Sequence, residues 1–72
     1  MTKEIFLKKL GGHVATLRKE KGISQSELAR LCEKDRQSIY KLENGDFNAS
    51  LYYLSEIAKG LNVTLSELVN IE

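Results

Sequence analysis

Apolar side chains recur along the chain every three or four residues, which is the repeat of an amphipathic α-helix. Near the N-terminus they are spaced by four, four and three positions: Phe6, Leu10, Val14 and Leu17. This pattern predicts a first helix over residues 3–21 with these side chains on its core face. Gly22 follows, and glycine commonly ends helices in a left-handed conformation.

A pair of glycines, Gly11 and Gly12, interrupts this first helix. Each glycine inside a helix costs about 1 kcal/mol relative to alanine. Two explanations are open: the helix is locally loose at this point, or another segment of backbone approaches it closely.

Capping residues divide the middle of the chain into two short helices. Ser24 and Glu27 have the spacing of a capping box, which opens a second helix that continues through Cys32. Asp35 is a favoured N-cap residue and opens a third helix, which stops at Asn44-Gly45. The predicted core positions of these two helices are Leu28, Leu31, Cys32, Ile39 and Leu42.

Two further helices are predicted after a loop over residues 46–49. Ser50 caps the fourth helix and Gly60 ends it, while Thr64 and Glu67 form a second capping box for a short fifth helix. Their predicted core positions are Leu51, Leu54, Ile57, Ala58, Leu65, Leu68 and Val69. No segment alternates like a strand, so the prediction is an all-α fold of five helices in a single domain over residues 1–72.

The small size and the composition exclude several classes of protein. A chain of 72 residues builds one modest core but not a core with a deep catalytic cleft. It offers neither a nucleophile–histidine pair nor a phosphate-binding loop, so we expect no enzyme, no cofactor and no small-molecule ligand. One cysteine and one histidine are too few for a usual metal site. Cys32 is therefore predicted to be a core residue, and His13 a residue at the solvent edge of the first helix.

The N-terminus lacks the apolar run of a signal peptide, and no stretch approaches the roughly 18 apolar residues of a membrane span. We expect a reduced, cytoplasmic setting, at the bacterial nucleoid when DNA is bound, and no membrane partner.

Charge is unevenly distributed along the chain. Residues 1–42 hold ten Lys or Arg and five Asp or Glu, a balance of +5, whereas residues 43–72 hold one and five, a balance of −4. A basic front and an acidic rear suit a protein that binds a polyanion at one pole. The alternative is a chance segregation of solvated surface charge.

The second and third helices, with their short connection, form a helix-turn-helix unit over residues 24–44. The third helix presents a row of polar side chains opposite its apolar face: Arg36, Gln37, Tyr40 and Lys41, flanked by Ser38 and Asn44. Arginine pairs with guanine and glutamine with adenine in the major groove, while lysine and asparagine reach phosphates. This row is a candidate DNA-reading surface.

Several separated motifs fall in register with one known family. They are Ile23–Ala29, Ile39, Leu42–Gly45, Leu54, Ile57-Ala58, Leu61–Val63, Leu65 and Glu67-Leu68. In these positions the chain resembles the Cro/C1-type helix-turn-helix family, which includes phage repressors, restriction–modification controller proteins and many bacterial regulators. The resemblance implies a lambda-repressor-like five-helix domain that acts as a homodimer on a palindromic operator in double-stranded DNA.

The resemblance also implies roles for individual residues. Base reading falls to Arg36 and Gln37, with Tyr40 and Lys41 in secondary positions on the same helix, about residues 35–43. For Tyr40 an alternative is open, in which its ring packs on the neighbouring helix and its hydroxyl meets a phosphate. Contacts to the DNA backbone are assigned to Gln25, Ser38, Asn44 and Asn48. Gln25 has two further possible roles: orienting the first recognition residue, or lying solvated.

A partly buried ion pair between Arg18 and Glu43 is implied to tie the first helix to the recognition helix. The chain departs from the family at the turn, where Glu33 replaces a frequent glycine and Lys34 an apolar residue. Asp35 replaces the usual serine, and the N-cap role would commit its charge to helix amides.

Dimerisation is predicted on the fourth and fifth helices. Tyr52 and Tyr53 are adjacent on a helix and point about 100° apart, so both cannot enter the core and one is expected to face a partner subunit. The predicted dimer interface consists of Tyr52, Tyr53, Leu65, Val69 and Ile71. The alternative is that these residues only cover the core.

The sequence therefore predicts a sequence-specific transcriptional regulator. The rival interpretation is an antitoxin-like protein-interaction module in which DNA binding is secondary. A disordered tail that wraps a toxin would favour this rival, and the sequence has none.

Overall fold

The computed structural model describes all 72 residues and contains five α-helices and no strands. They are α1 (Lys3–Glu20), α2 (Gln25–Cys32), α3 (Arg36–Glu43), α4 (Leu51–Leu61) and α5 (Leu65–Leu68). The predicted all-α fold is confirmed. None of the helices combines the length and apolar character needed to cross a bilayer.

Every helix begins at a short polar side chain that caps its backbone. In each case the side-chain oxygen accepts a hydrogen bond from the N–H three residues later; these N-caps are Thr2, Ser24, Asp35, Ser50 and Thr64. The predicted capping boxes of α2 and α5 both form, since Glu27 and Glu67 reach back to their N-caps. Capping is local chemistry, which is why the helix starts match the sequence so closely.

The core lies between α2 and α4, which pack on each other; α3 packs on α1 and α2, and α5 packs on α4 and α1. Its fully buried side chains are Val14, Leu28, Ile39, Leu42, Ile57, Leu61 and Leu68. No polar side chain is fully buried, so the core is held by apolar packing.

Four apolar side chains predicted for the core are instead exposed: Phe6, Leu31, Leu51 and Val69. In α1 the buried positions begin only at Leu10, so Phe6 lies on a part of the helix that extends past the core. The buried face of α2 is centred between Leu28 and Ala29, which turns Leu31 outward. Leu51 and Val69 lie at helix ends, beyond the packed turns.

The surroundings of Gly11 explain why α1 contains a glycine at that position. A Cβ placed on Gly11 would overlap the carbonyl oxygen of Leu42 and lie 2.6 Å from that of Glu43, whereas one on Gly12 would meet nothing within 4 Å. The helix is continuous through both positions. Of the two explanations, close approach of another backbone holds, and it holds at Gly11 alone.

The prediction that Gly60 ends α4 is wrong. The helix continues through Gly60 to Leu61, and Asn62 takes the left-handed conformation, with φ of 58°. Asparagine is one of the few residues that adopt this conformation readily. Gly60 instead allows close packing of α4 on α2, because a Cβ there would overlap the Cys32 sulfur.

Candidate nucleic-acid interface

The turn between α2 and α3 keeps a left-handed residue although it contains no glycine. Glu33 has φ of 56° and ψ of 42°, and the next N–H, that of Lys34, donates to the Ala29 carbonyl at 2.8 Å. A left-handed conformation costs a non-glycine residue about 1–2 kcal/mol. The departure from the family at Glu33 therefore leaves the turn geometry intact and carries a conformational cost.

Lys34, the second residue that differs from the family pattern, connects the turn to α4. Its Nζ lies 2.6 Å from Glu56 Oε1 and 4.9 Å from the centre of the Tyr53 ring. The hydrogen bond with Glu56 raises the pKa of Lys34. An ion pair and a cation–π contact are therefore present at a position where the family resemblance implies an apolar side chain.

The outer face of α3 is polar and exposed. Ile39 and Leu42 face the core, and the side chains on the opposite side are all exposed: Arg36, Gln37, Tyr40 and Lys41. None of these four takes part in an ion pair or a side-chain hydrogen bond within the chain. Tyr40 is 50% exposed and its ring makes no aromatic contact. All four side chains are available to a ligand.

The carboxylate of Asp35, at the start of this helix, already forms a hydrogen bond within the chain. Asp35 Oδ1 accepts a hydrogen bond of 2.7 Å from the backbone N–H of Ser38, in the predicted N-cap role. Because helix N-termini carry a partial positive charge, this position also favours the carboxylate electrostatically.

Ser38 and Tyr53 form an internal contact that joins α3 to α4. The Ser38 hydroxyl donates to the Asp35 carbonyl at 3.0 Å and lies 2.8 Å from the Tyr53 hydroxyl, which then acts as the donor. Burial raises the pKa of Tyr53. Ser38 was predicted to contact the DNA backbone, and Tyr53 to belong to the dimer interface. In the structure their two hydroxyls form a hydrogen bond with each other within the chain.

Phe47 lies beside the candidate site, and the sequence reasoning did not single it out. Its ring packs edge-on against Tyr53, with centres 4.9 Å apart and planes at 87°. It also lines an open depression beside the recognition helix, together with Asp35, Gln37, Ser38 and Lys41. The available signal was a lone aromatic in an otherwise polar loop after Gly45.

The C-terminal end of α3 is fixed by a charged cluster. Arg18 Nε and Nη2 donate to the two carboxylate oxygens of Glu43 at 2.7 and 3.0 Å, and Arg18 Nη1 donates to the Ile23 carbonyl at 2.9 Å. The Arg18 and Glu43 side chains are only 11% and 5% exposed. The hydrogen bond to Glu43 raises the pKa of Arg18. The predicted ion pair is present and joins α1 to α3.

Gln25 belongs to the same cluster. Its Nε2 donates to Glu43 Oε1 at 2.9 Å, so its amide nitrogen is engaged within the chain. This contact connects the first turn of α2 to the last turn of α3. Asn44 and Asn48, the other residues predicted at the DNA backbone, are exposed on the segment that follows α3.

The residues predicted for the dimer interface are divided between surface and core. Tyr52 is 73% exposed and Val69 is also exposed, whereas Leu65 and Ile71 are half-buried against the core. His13 is partly exposed at the edge of this region, and its Nε2 donates to the Glu67 carbonyl at 2.8 Å and ties α1 to α5.

Cys32 is buried in the core as predicted. Burial raises the pKa of its thiol. The described residues contain no cluster of three or more acidic, histidine or cysteine side chains able to hold a metal ion.

A family model described as helix-turn-helix matches residues 14–68 of the chain. The chain belongs to the Cro/C1-type helix-turn-helix family. It is thus a DNA-binding transcriptional regulator of that class. The match spans the cluster at Arg18, the turn at Glu33 and the whole of α3.

Individual relatives agree with this assignment. The control protein C.MunI of a Mycoplasma species is 43% identical over 61 residues, which is 83% of this chain and 82% of the relative. An uncharacterised HTH-type transcriptional regulator, y4dJ, of Sinorhizobium fredii is 37% identical over 62 residues, or 86% of this chain and 80% of the relative.

A similar solved structure is the restriction-modification controller protein C.AhdI of Aeromonas hydrophila. It has a TM-score of 0.84 and 37% identity, and the match covers 86% of this chain and 94% of C.AhdI. The five-helix arrangement and the placement of α3 are therefore shared with a controller protein over nearly its full length.

Proposed function

We propose that the chain binds a palindromic operator as a homodimer and reads bases in the major groove with α3. The observation that carries this proposal is the outer face of α3, where Arg36, Gln37, Tyr40 and Lys41 are exposed and have no partner within the chain. An α-helix with such a face fits the major groove of B-DNA. The excess of basic residues in the first 42 positions supports a polyanionic ligand.

Each side chain has a separate part in this proposal. Arg36 and Gln37 lie in the first turn of α3 and choose the bases, each good bidentate pair being worth about 1–3 kcal/mol of discrimination. Tyr40 and Lys41 follow one turn later and make secondary base or phosphate contacts. Asn44 and Asn48 fix the register on the backbone. Gln25 and Ser38 are placed to position α3 rather than to bind, given their internal hydrogen bonds.

The dimer in this proposal forms through the exposed side chains of α4 and the C-terminal segment. Tyr52 is the main candidate, because tyrosine is favoured in interface cores and this ring is 73% exposed. Val69 extends the same predicted surface. Two subunits related by a twofold axis would present their α3 helices about 34–36 Å apart, one turn of B-DNA.

The relatives suggest the regulatory role. C.MunI is named as a control protein, and C.AhdI as a restriction-modification controller protein. We infer a role of the same class for this chain, in which the dimer occupies a promoter and sets the expression of nearby genes. A reporter fused to the selected operator would measure whether the protein represses or activates.

In vitro selection of bound duplexes tests the proposal most directly, since it yields the operator, its symmetry and the half-site spacing together. Arg36→Ala and Gln37→Ala should each relax the preference at one position of each half-site. Arg30→Ala is the control matched to Arg36→Ala, because Arg30 is exposed on α2 and its substitution removes the same charge. Unchanged site preference in both α3 variants would refute the base-reading roles. A monomer at high concentration in sedimentation would refute the dimer.

A further inference from the structure

The N-terminal part of α1 crosses the end of the recognition helix. Gly11 faces the carbonyl groups of Leu42 and Glu43 without a side chain between them. One turn earlier, Lys8 packs on Gly45: a Cβ on that glycine would lie 2.8 Å from Lys8 Cγ and 2.9 Å from Lys8 Cα. Residues three apart share one face of a helix, so a single face of α1 covers the end of α3 and the start of the next loop.

This part of α1 precedes the region matched by the family. The family match begins at residue 14, whereas α1 begins at Lys3. Lys8 therefore lies outside the segment that the family model matches, and none of the roles assigned above includes it.

The position of Lys8 is next to a surface already assigned to DNA. Its neighbour Gly45 directly follows Asn44, one of the exposed residues proposed to hold a phosphate. The nearest acid on the loop is Asp46, which is itself exposed. A lysine in this place extends the basic surface along the DNA backbone away from the helix-turn-helix unit.

The amine of Lys8 is available for such a contact. Its recorded ion-pair partner is Glu4, at 3.9 Å, and the two side chains are 65% and 81% exposed. An exposed pair within one helix is worth little, so a phosphate displaces the carboxylate at small cost.

We propose that Lys8 is a phosphate-binding residue of the DNA interface, which contacts the backbone beside the phosphate held by Asn44. The proposal rests on the proposed function, because it requires α3 to lie in the major groove. A purely structural role is the competing explanation: the cation would stabilise α3 through the partial negative charge at the C-terminal end of that helix. The two explanations predict different salt dependences of the DNA-binding affinity.

The experiment compares Lys8→Gln with Lys9→Gln on a selected operator duplex, with fluorescence anisotropy measured from 50 to 200 mM salt. Lys9 is the matched control, since it is an exposed lysine on the adjacent position and shares its face with Gly12 and Thr16, both exposed. Lys8→Arg keeps the cation and serves as the rescue variant. Thermal denaturation of each protein without DNA reports the structural contribution.

Each phosphate contact contributes about 0.9 to the slope of log K against log salt concentration, so Lys8→Gln should reduce the slope by roughly 1.8 for a bound dimer. Between 50 and 200 mM salt, the wild-type protein should then lose about 12-fold more affinity than this variant does. Lys9→Gln and Lys8→Arg should retain the wild-type slope. Base preference should be unchanged in all three, since phosphate contacts weaken binding uniformly.

Two results would overturn the proposal. One is a wild-type slope in Lys8→Gln, whether or not its melting temperature falls. The other is an equal reduction of slope in Lys9→Gln, which would show a general effect of net charge. Failure of the proposed function is distinguishable from both, because the wild-type protein would then bind no duplex in a salt-dependent manner.

Discussion

Gly11 and Gly12 offer a matched pair of substitutions, because neighbouring positions of one helix meet opposite surroundings. A Cβ on Gly11 would lie 2.6 Å from the Glu43 carbonyl oxygen and 2.8 Å from its carbonyl carbon, whereas a Cβ on Gly12 would meet nothing within 4 Å. We expect Gly12→Ala to stabilise the protein and Gly11→Ala to destabilise it.

The magnitudes follow from two opposing contributions. Both substitutions gain about 1 kcal/mol from the better helix propensity of alanine. At Gly12 nothing opposes this gain. At Gly11 the obstacles are backbone atoms near the end of α3, where the Leu42 carbonyl already accepts the Gly45 N–H at 3.1 Å. Such atoms cannot rotate away, so α1 must shift, and overpacking of this kind costs about 1–3 kcal/mol.

The two variants should therefore differ by about 1–3 kcal/mol in free energy of unfolding, with Gly12→Ala the more stable. Urea denaturation followed by far-UV circular dichroism measures this difference. In a domain of this size 1 kcal/mol corresponds to about 4–8 °C in melting temperature, which is easily resolved. If Gly11→Ala is as stable as Gly12→Ala, the close approach of α1 to α3 is wrong.

Three further predictions concern the turn, the charged cluster and acid stability. Glu33→Gly should raise the free energy of unfolding by about 1 kcal/mol in urea denaturation, because it relieves a left-handed non-glycine residue. Glu43→Gln should lower it by about 1–3 kcal/mol, because it removes the counter-charge of the partly buried Arg18. Hydrogen bonds from Ser24 hold the pKa of Glu27 below its ordinary value of 4.5. This carboxylate therefore stabilises the fold above that value and loses its contribution as the pH falls through the lowered pKa. Glu27→Gln should accordingly flatten the acid dependence of the melting temperature.

Each of these predictions has a control or a contrary result. No gain in Glu33→Gly would mean that the Glu33 side chain makes a stabilising contribution that offsets the backbone cost. Glu4→Gln is the control for the charged cluster, since its exposed pair with Lys8 is worth at most about 1 kcal/mol. An unchanged acid dependence in Glu27→Gln would refute the stabilising role of the ionised Glu27 carboxylate.

The sequence predicted the helices well because their starts are set by local chemistry. Ser24 with Glu27, and Thr64 with Glu67, cap their helices through contacts three residues apart, which can be read without knowing the fold. The orientation of short helices, in contrast, cannot be predicted from local sequence. Leu31 is apolar yet exposed, because the buried face of an eight-residue helix is set by its neighbours.

The candidate site likewise has a part that the sequence predicts and a part that it does not. The outward row on α3 follows from helical spacing alone, since Ile39 and Leu42 define the opposite face. The hydroxyl pair of Ser38 and Tyr53, and the ring of Phe47 against Tyr53, join residues that are far apart in sequence. No local pattern distinguishes these contacts from exposed polar and aromatic residues, so the sequence could not separate binding side chains from supporting ones.

The recognition helix is too short to be stable by itself, and the structure supports it at both ends. Isolated helices shorter than about 12–15 residues are marginal in water, and α3 has eight residues. Its first turn is held by the Asp35 cap and by the hydrogen bond that the Tyr53 hydroxyl of α4 donates to Ser38. Its last turn is held through Glu43, which accepts hydrogen bonds from α1 and α2.

This support uses none of the four outward side chains. Arg36, Gln37, Tyr40 and Lys41 can therefore change with little effect on the order of the helix, whereas changes at Ser38 or Glu43 should move the whole reading surface. We expect substitutions in the first group to alter which sequence is bound while the melting temperature stays near that of the wild type. Substitutions in the second group should weaken binding to every sequence in step with the loss of stability, because the helix that carries all four side chains is then no longer fixed.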